Sequence, residues 1–242
     1  MIYTFITDSK NYEYFMKNRD CRFWQPLSLI TEEISSYIFD SKNPEVCRER
    51  FAAYSLLFSA AERFFGVRIK EILRGERGKP YVSKYDGDGK IFFSISHSDG
   101  LCAVTVSDEG EVGVDIQSES NPDTAKRLYE KYFEGIFFEK SEPFSEIIVA
   151  YPIDGGNFDY SKSLDEDFGI SNLKNAEKNE DTDLLTKKFL EAWTISEALL
   201  KLGGVGFSEI GKLGSYLTSK SYFLREFYFY DRLFNVSVAK DK

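Results

Sequence analysis

Apolar residues recur along this chain with two different periods, and each change of period marks a change of element. Over residues 44 to 65, Val46, Phe51, Leu56, Leu57, Ala60 and Phe64 suit a packed, amphipathic helix. Asn43 before Pro44 supplies an N-cap and first-turn pair, and Gly66 sits where the residue after the C-cap belongs, which predicts a helix over 44–65. Shorter runs then take over. Ile91 to Ser96, Leu101 to Val106 and Gly113 to Gln117 read as three short antiparallel strands, with Asp99-Gly100 and Asp108-Glu109-Gly110 as the turns between them. Asn121 with Pro122 starts a second helix that runs through about Phe133. A long helix follows from about Thr182 to Leu202. Tyr222 to Tyr230 and Leu233 to Ala239 are aromatic-rich closing strands, split near Asp231-Arg232. The order of helix, meander, helix, insert, helix and closing strands predicts an α+β fold; periodicity does not fix which strands pair.

Two of these elements carry candidate chemistry. In Gly113-Val114-Asp115-Ile116-Gln117, alternation puts Asp115 and Gln117 on one face and Val114 and Ile116 on the other. In Trp193-Thr194-Ile195-Ser196-Glu197-Ala198-Leu199-Leu200-Lys201, the first, fifth and ninth residues follow each other at only about 40° round the helix. That stripe can plant Trp193 in the core and present Glu197 and Lys201 at one cleft. Two acids and a lysine suit Mg²⁺ on a diphosphate: the hard cation wants oxygen ligands, and the phosphates want positive charge. Each motif alone favours a blander reading, a solvated Glu–Lys pair on a helix and an Asp at a strand end.

Composition narrows the class. At 242 residues the chain can form one large domain or two of about 120, either able to bury a core. Hydrophobic residues make up 42%, with 22 Phe and 15 Tyr, which argues for a filled interior rather than disorder. No run approaches the ~18 apolar residues that span a bilayer. The opening Met1 to Asp8 reads as a short strand, not a secretory signal. Cys21, Cys47 and Cys102 are odd in number and far apart, and read as reduced thiols in a reducing, cytoplasmic compartment. The net charge of −9 argues against a nucleic-acid partner. Residues 139 to 191 concentrate that charge, with thirteen acids against six lysines. The remainder is close to neutral, so Arg68, Lys70, Arg74, Arg77 and Lys79 can form a basic patch.

Four stretches in order then carry a resemblance: Gly78-Lys79-Pro80, Phe93-Ser94-Ile95-Ser96-His97-Ser98, Gly113 to Gln117, and Trp193 to Lys201 ending in Gly204-Val205-Gly206-Phe207. Together they resemble the surfactin-type 4′-phosphopantetheinyl transferases, whose patterns run G-K-P, F-N-x-S-H-S, G-[VI]-D-[IV]-E and W-x-x-K-E-[AS]-x-x-K-x-x-G-x-G. The resemblance runs from about Arg48 to the end, apart from a long insert. It implies transfer of the phosphopantetheine arm of coenzyme A to a serine of an apo acyl- or peptidyl-carrier protein, releasing adenosine 3′,5′-bisphosphate, with Mg²⁺ bridging the diphosphate. By position, Asp115, Gln117 and Glu197 would face the metal. Glu197 would also orient or deprotonate the serine, and Lys201 would neutralise the diphosphate. Arg48, Arg50, Lys79, Ser96, His97 and Lys201 would bind coenzyme A. The family further implies a monomer built as a pseudo-dimer of two similar α+β halves, each a small antiparallel sheet with a long helix, and the site in the seam. The halves would be 1–112 and 113–242, the second carrying an acidic insert at about 136–181.

Two departures from the pattern matter, and a third, Ser94 for the usual Asn, is minor. Gln117 stands where many members have Glu, and weaker metal affinity is the expected result. Ser196 stands where the family has Lys, which removes a cation that would help keep Glu197 ionised. Both leave room for a degenerate, non-catalytic homologue that binds coenzyme A or a carrier. In the insert, Ser145 to Tyr151 reads as a strand, Asp154-Gly155-Gly156-Asn157 as a turn and Lys174 to Asp183 as polar chain. A tolerated surface insertion is favoured there over a lid or docking element.

Overall fold

The computed structural model describes residues 1–17, 31–139, 141–153, 157–164, 184–230 and 232–242. Strand β1 (Ile2–Asp8) leads through a 3₁₀ turn to α1 (Glu13–Lys17), then α2 (Glu32–Phe39) and α3 (Pro44–Phe65). Hairpin strands β2 (Arg68–Arg74) and β3 (Pro80–Asp86) follow, then β4 (Phe92–Ser98), β5 (Leu101–Ser107), β6 (Val112–Ser118) and α4 (Pro122–Tyr132). Strands β7 (Glu146–Ile153) and β8 (Asn157–Ser163) precede α5 (Leu184–Leu202), α6 (Leu213–Ser219), β9 (Lys220–Phe229) and β10 (Arg232–Asp241). The mixed content, small sheets with packed helices, is α+β.

Local chemistry sets the ends of α3 as the sequence predicts. Asn43 Oδ1 accepts from the Glu45 amide at 3.0 Å, and Gly66 closes the helix at φ 65°, a left-handed conformation that favours glycine. Asn121 caps α4 in the same way.

Three sheets form: β4-β5-β1-β7-β8, β6-β10-β9 and β2-β3. Alternation along the strands then builds layers. Phe5, Val104 and Ile148 share a core with Phe51, Leu56 and Leu57 of α3. Their neighbours Ile6, Ala103 and Val149 turn to the opposite side of the five-stranded sheet. There they meet Val114, Ile116, Val236 and Val238 of the three-stranded sheet. The far side of that second sheet carries α5 and α4, through Ala198, Leu199, Phe189 and Phe133. The order is helix, sheet, sheet, helix. A strand inside such a stack is dry on both faces, which explains why all seven residues of β5 are buried.

One strand goes elsewhere than expected. β4 and β5 pair antiparallel as predicted, but β6 does not continue a meander. The open edge of β5 is taken along its whole length by β1, seven residue pairs from Ile2–Ser107 to Asp8–Leu101. β6 therefore starts the second sheet, paired with β10. The strand expected near Ser145 to Tyr151 forms β7 and runs parallel to β1. Residues 154 to 156 of the expected turn, Lys174 to Asp183, and Cys21 lie outside the described residues. Cys47 and Cys102 are buried free thiols. Among the described residues, no helix is long and apolar enough to cross a membrane.

Candidate active site

The site forms where β4, β6 and α5 meet. A side chain on Gly113 would fix their spacing at a larger value: a Cβ there would lie 1.9 Å from the Ala198 carbonyl oxygen and 2.6 Å from the Leu202 nitrogen. Only glycine lets α5 settle this closely onto β6. Asp115 and Gln117, two and four residues on, face the same side and so come under Glu197 and Lys201.

β4 meets β6 through hydroxyls rather than a backbone ladder. Period two lines up Ser94, Ser96 and Ser98. Ser94 Oγ accepts from the Val114 amide at 3.1 Å, and Ser98 Oγ accepts from the Ser118 amide at 3.3 Å. Between them, Ser96 Oγ–H donates to Asp115 Oδ1 at 2.7 Å. Ser94, a minor departure by motif, is thus one of the stitches between the two sheets.

A cleft of about 530 Å³ opens at this junction. Its lining includes Lys79, Ser96, His97, Asp115, Gln117, Trp193, Glu197 and Lys201, together with Arg74 and Arg77. Trp193 is half-buried rather than confined to the core. It stacks on Phe207 with ring centroids 4.4 Å apart and lines the cleft as well, since 40° steps keep all three stripe residues facing one way.

The charges are unevenly served. Lys201 Nζ donates to Asp115 Oδ1 at 2.7 Å and to Ser96 Oγ at 2.9 Å. Asp115 is 4% exposed, and its second oxygen, Oδ2, is buried with no hydrogen-bond partner among the described residues. Glu197 has no hydrogen bond or ion pair among the described residues. Burial pushes its carboxyl up, the Asp115 charge adds to this, and Lys201 offsets only part. Two oxygen-bearing carboxylates and the Gln117 amide are hard donors, and a bare buried oxygen is costly, so the residues fit a hard cation. Among the described residues no cluster of three or more His, Cys, Asp or Glu could hold a metal. A cation here would therefore need further oxygens from a ligand and from water.

Other predicted residues sit differently. Lys79 lines the cleft, yet its ammonium binds Glu111 Oε2 at 2.6 Å, Val112 O at 3.1 Å and Leu202 O at 3.4 Å, tying the β2–β3 hairpin to β6 and α5. Arg50 lies in an adjoining groove, its guanidinium 4.0 Å from the Tyr37 ring centroid. Arg74 covers the same ring at 4.3 Å and belongs to both the groove and the cleft. Arg48 is outside the cleft lining, half-buried near Glu45. Within the basic stretch, Arg68 pairs with Glu62 and Lys70 with Asp86 at the surface, while Arg74 and Arg77 reach the cleft. His97 lines the cleft and pairs through Nδ1 with Glu49 Oε2 at 2.8 Å. Glu49 was not among the residues singled out by motif. Its signal is a charge in register with Ala52, Ala53 and Leu56 on the apolar stripe of α3. Ser196 is fully buried, and its Oγ donates to Ala192 O at 2.6 Å; it faces away from the cleft.

No protein-family model matches the chain. Over 49 residues, 20% of its length, the chain is 43% identical to the 4′-phosphopantetheinyl transferase AcpT of Salmonella typhimurium, a stretch covering 24% of that protein. The likeness is to a phosphopantetheinyl transferase in general and does not single out the surfactin type.

Proposed function

We propose that this chain is a Mg²⁺-dependent 4′-phosphopantetheinyl transferase of the surfactin type. It moves the phosphopantetheine arm of coenzyme A to a serine of an apo acyl- or peptidyl-carrier protein and releases adenosine 3′,5′-bisphosphate. The observation that carries the reading is that Asp115 from one motif and Glu197 and Lys201 from another share one cleft with Ser96, His97, Arg74 and Arg77. The partial likeness to AcpT supports the same reaction class.

Asp115 and Glu197, with the Gln117 amide oxygen, would hold the cation. Bound there, Mg²⁺ supplies positive charge to the diphosphate. Glu197, its carboxyl pushed up by burial, takes the proton from the carrier serine hydroxyl. The serine oxygen bonds to the phosphorus that bears the pantetheine arm. The bond from that phosphorus to the bridging oxygen breaks, and its electron pair leaves with the nucleotide. Lys201 exchanges part of its contact with Asp115 for a diphosphate oxygen and neutralises that charge. Lys79, Ser96, His97, Arg48 and Arg50 bind coenzyme A, Lys79 by releasing Glu111. In this reading residues 1–112 and 113–242 are the two halves of a pseudo-dimer, with β7 and β8 of the insert added to the sheet of the first half, and the protein works as a cytoplasmic monomer.

One observation favours a second reading, a homologue that binds coenzyme A or a carrier without transfer. Ser196 is sealed in the core and supplies no cation to Glu197, which leaves Lys201, already bonded to Asp115, to offset its charge. Fluorescent coenzyme A, a panel of apo-carriers and millimolar Mg²⁺ separate the two. Label on a carrier serine supports the transferase. Binding of coenzyme A without label transfer, restored by Gln117→Glu, supports the degenerate homologue. Absence of both binding and transfer removes both readings.

A further inference from the structure

Behind the cleft wall sits a carboxylate that the proposed reaction does not use. Glu49 is 6% exposed and lies in line with buried Ala52, Ala53 and Leu56 on its helix. An anion there is costly unless the fold answers it. Two partners do: the Gly100 amide donates to Oε1 at 2.6 Å, and His97 Nδ1 lies 2.8 Å from Oε2. Burial opposes the charge, but the bonds from His97 and Gly100, with the nearby Arg48 guanidinium, outweigh it. The carboxyl is held below its ordinary range.

An ionised carboxylate can only accept. The hydrogen of the His97–Glu49 contact therefore belongs to Nδ1, and the bond made by one ring nitrogen decides the state of the other. Nε2 has no hydrogen-bond partner among the described residues, and the ring lines the cleft. We propose that Glu49 is a positioning residue that fixes His97 with its proton on Nδ1, leaving Nε2 as the atom that meets a phosphate of coenzyme A. The identity of the ligand rests on the transferase reading; the orientation of the ring does not. When Nε2 also takes a proton and donates to a phosphate oxygen, the Glu49 carboxylate balances the imidazolium from behind. A neutral side chain at position 49 cannot do both. Glutamine can accept from Gly100 only by turning its amide N–H toward His97, which makes Nδ1 the acceptor and moves the ring proton to Nε2.

The chain has a single histidine, so the long-range ¹H–¹⁵N spectrum of the ¹⁵N-labelled full-length protein reads one imidazole without assignment. With the ring neutral, the wild type is expected in the Nδ1–H form, Glu49→Asp in the same form, and Glu49→Gln in the Nε2–H form. Calorimetry with coenzyme A gives the second arm. Glu49→Gln weakens binding by about tenfold, the size of one charge-assisted hydrogen bond. The same change in a His97→Gln background weakens it by less than about twofold, because its effect passes through the ring. An Nε2–H wild type, an unchanged tautomer in Glu49→Gln, or an equal loss in both backgrounds overturns the proposal. If Glu49→Gln does not melt cooperatively, Glu49→Asp against wild type carries both arms, and a switch to Nε2–H there overturns it as well. A wild type that takes up no coenzyme A removes the transferase reading and its ligand, while the tautomer arm still decides whether Glu49 orients His97.

Discussion

Glu49 and Glu197 are the same side chain, each set into a helix that serves one cleft, and their surroundings push them in opposite directions. Glu49 has its acceptors filled by His97 and Gly100 and is pulled down. Glu197 is left without a hydrogen bond among the described residues and is pushed up by burial and by Asp115. The fold completes the first carboxylate and leaves the second to be completed by something that enters. A saturated buried charge is a fixed part of the wall; an unsatisfied one has capacity left for a proton or a cation.

The comparison breaks most visibly if Glu197 is dispensable. Glu197→Gln is expected to lower transfer by at least about 100-fold while leaving the melting temperature at pH 7 unchanged or higher. Activity close to wild type in a label-transfer assay would put Glu197 on the same footing as Glu49.

Gly113→Ala attacks the contact that makes Glu197 and Asp115 neighbours. The added carbon overlaps backbone of α5 rather than a side-chain tip that could swing away. A loss of about 1–3 kcal/mol is expected from such overpacking, read from the urea midpoint, together with loss of transfer. An unchanged midpoint would show that α5 does not need its close seat on β6.

Acid titration of stability separates the two glutamates by sign. The Glu49 carboxyl lies below its ordinary value of 4.5 in the folded protein. Its contribution is present above that value and is lost as pH falls through the lowered one. Glu49→Gln should therefore cost about 1–3 kcal/mol at pH 7, and the gap should close in acid. Glu197 lies above 4.5 when folded, so its contribution is largest in acid and fades as pH rises through the raised value. Glu197→Gln should gain on wild type across that rise. Parallel urea curves at several pH values check both slopes, and slopes of equal sign would contradict the contrast.

Ser94→Ala marks the small end. It leaves the Val114 amide without its acceptor and should cost about 1 kcal/mol, with transfer nearly intact, since Ser94 lines the cleft but spends its hydroxyl on the Val114 amide rather than on Asp115, Glu197 or Lys201. A large loss of transfer at constant stability would move Ser94 into the site.

Capped, strongly periodic elements were legible in the sequence. Asn43-Pro44 with Gly66 bracketed α3, and Asn121-Pro122 opened α4, because those signals are local. The alternation that set Asp115 and Gln117 against Val114 and Ile116 was legible for the same reason. Pairing was not: β6 leaves its expected neighbour because β1, from the other end of the half, fills the edge of β5. Helix α2 also escaped. Its signal is only Ile34 and Ile38 on an eight-residue segment, so Tyr37 and its two stacked arginines became visible only in three dimensions. Within the site, motif order found Asp115, Glu197, Lys201, Ser96 and His97 but passed over Glu49. A charge on an apolar stripe reads as noise until the imidazole that answers it is found 48 positions away.

Asp115 and Glu197 are proposed to make one cation site with the diphosphate of coenzyme A. Calorimetric titration of coenzyme A with and without millimolar Mg²⁺, in wild type and in Asp115→Asn, tests it directly. Mg²⁺ is expected to tighten binding to the wild type by about tenfold or more and to have little effect on Asp115→Asn. Equal affinity with and without Mg²⁺ in the wild type, or an undiminished Mg²⁺ effect in Asp115→Asn, would contradict it.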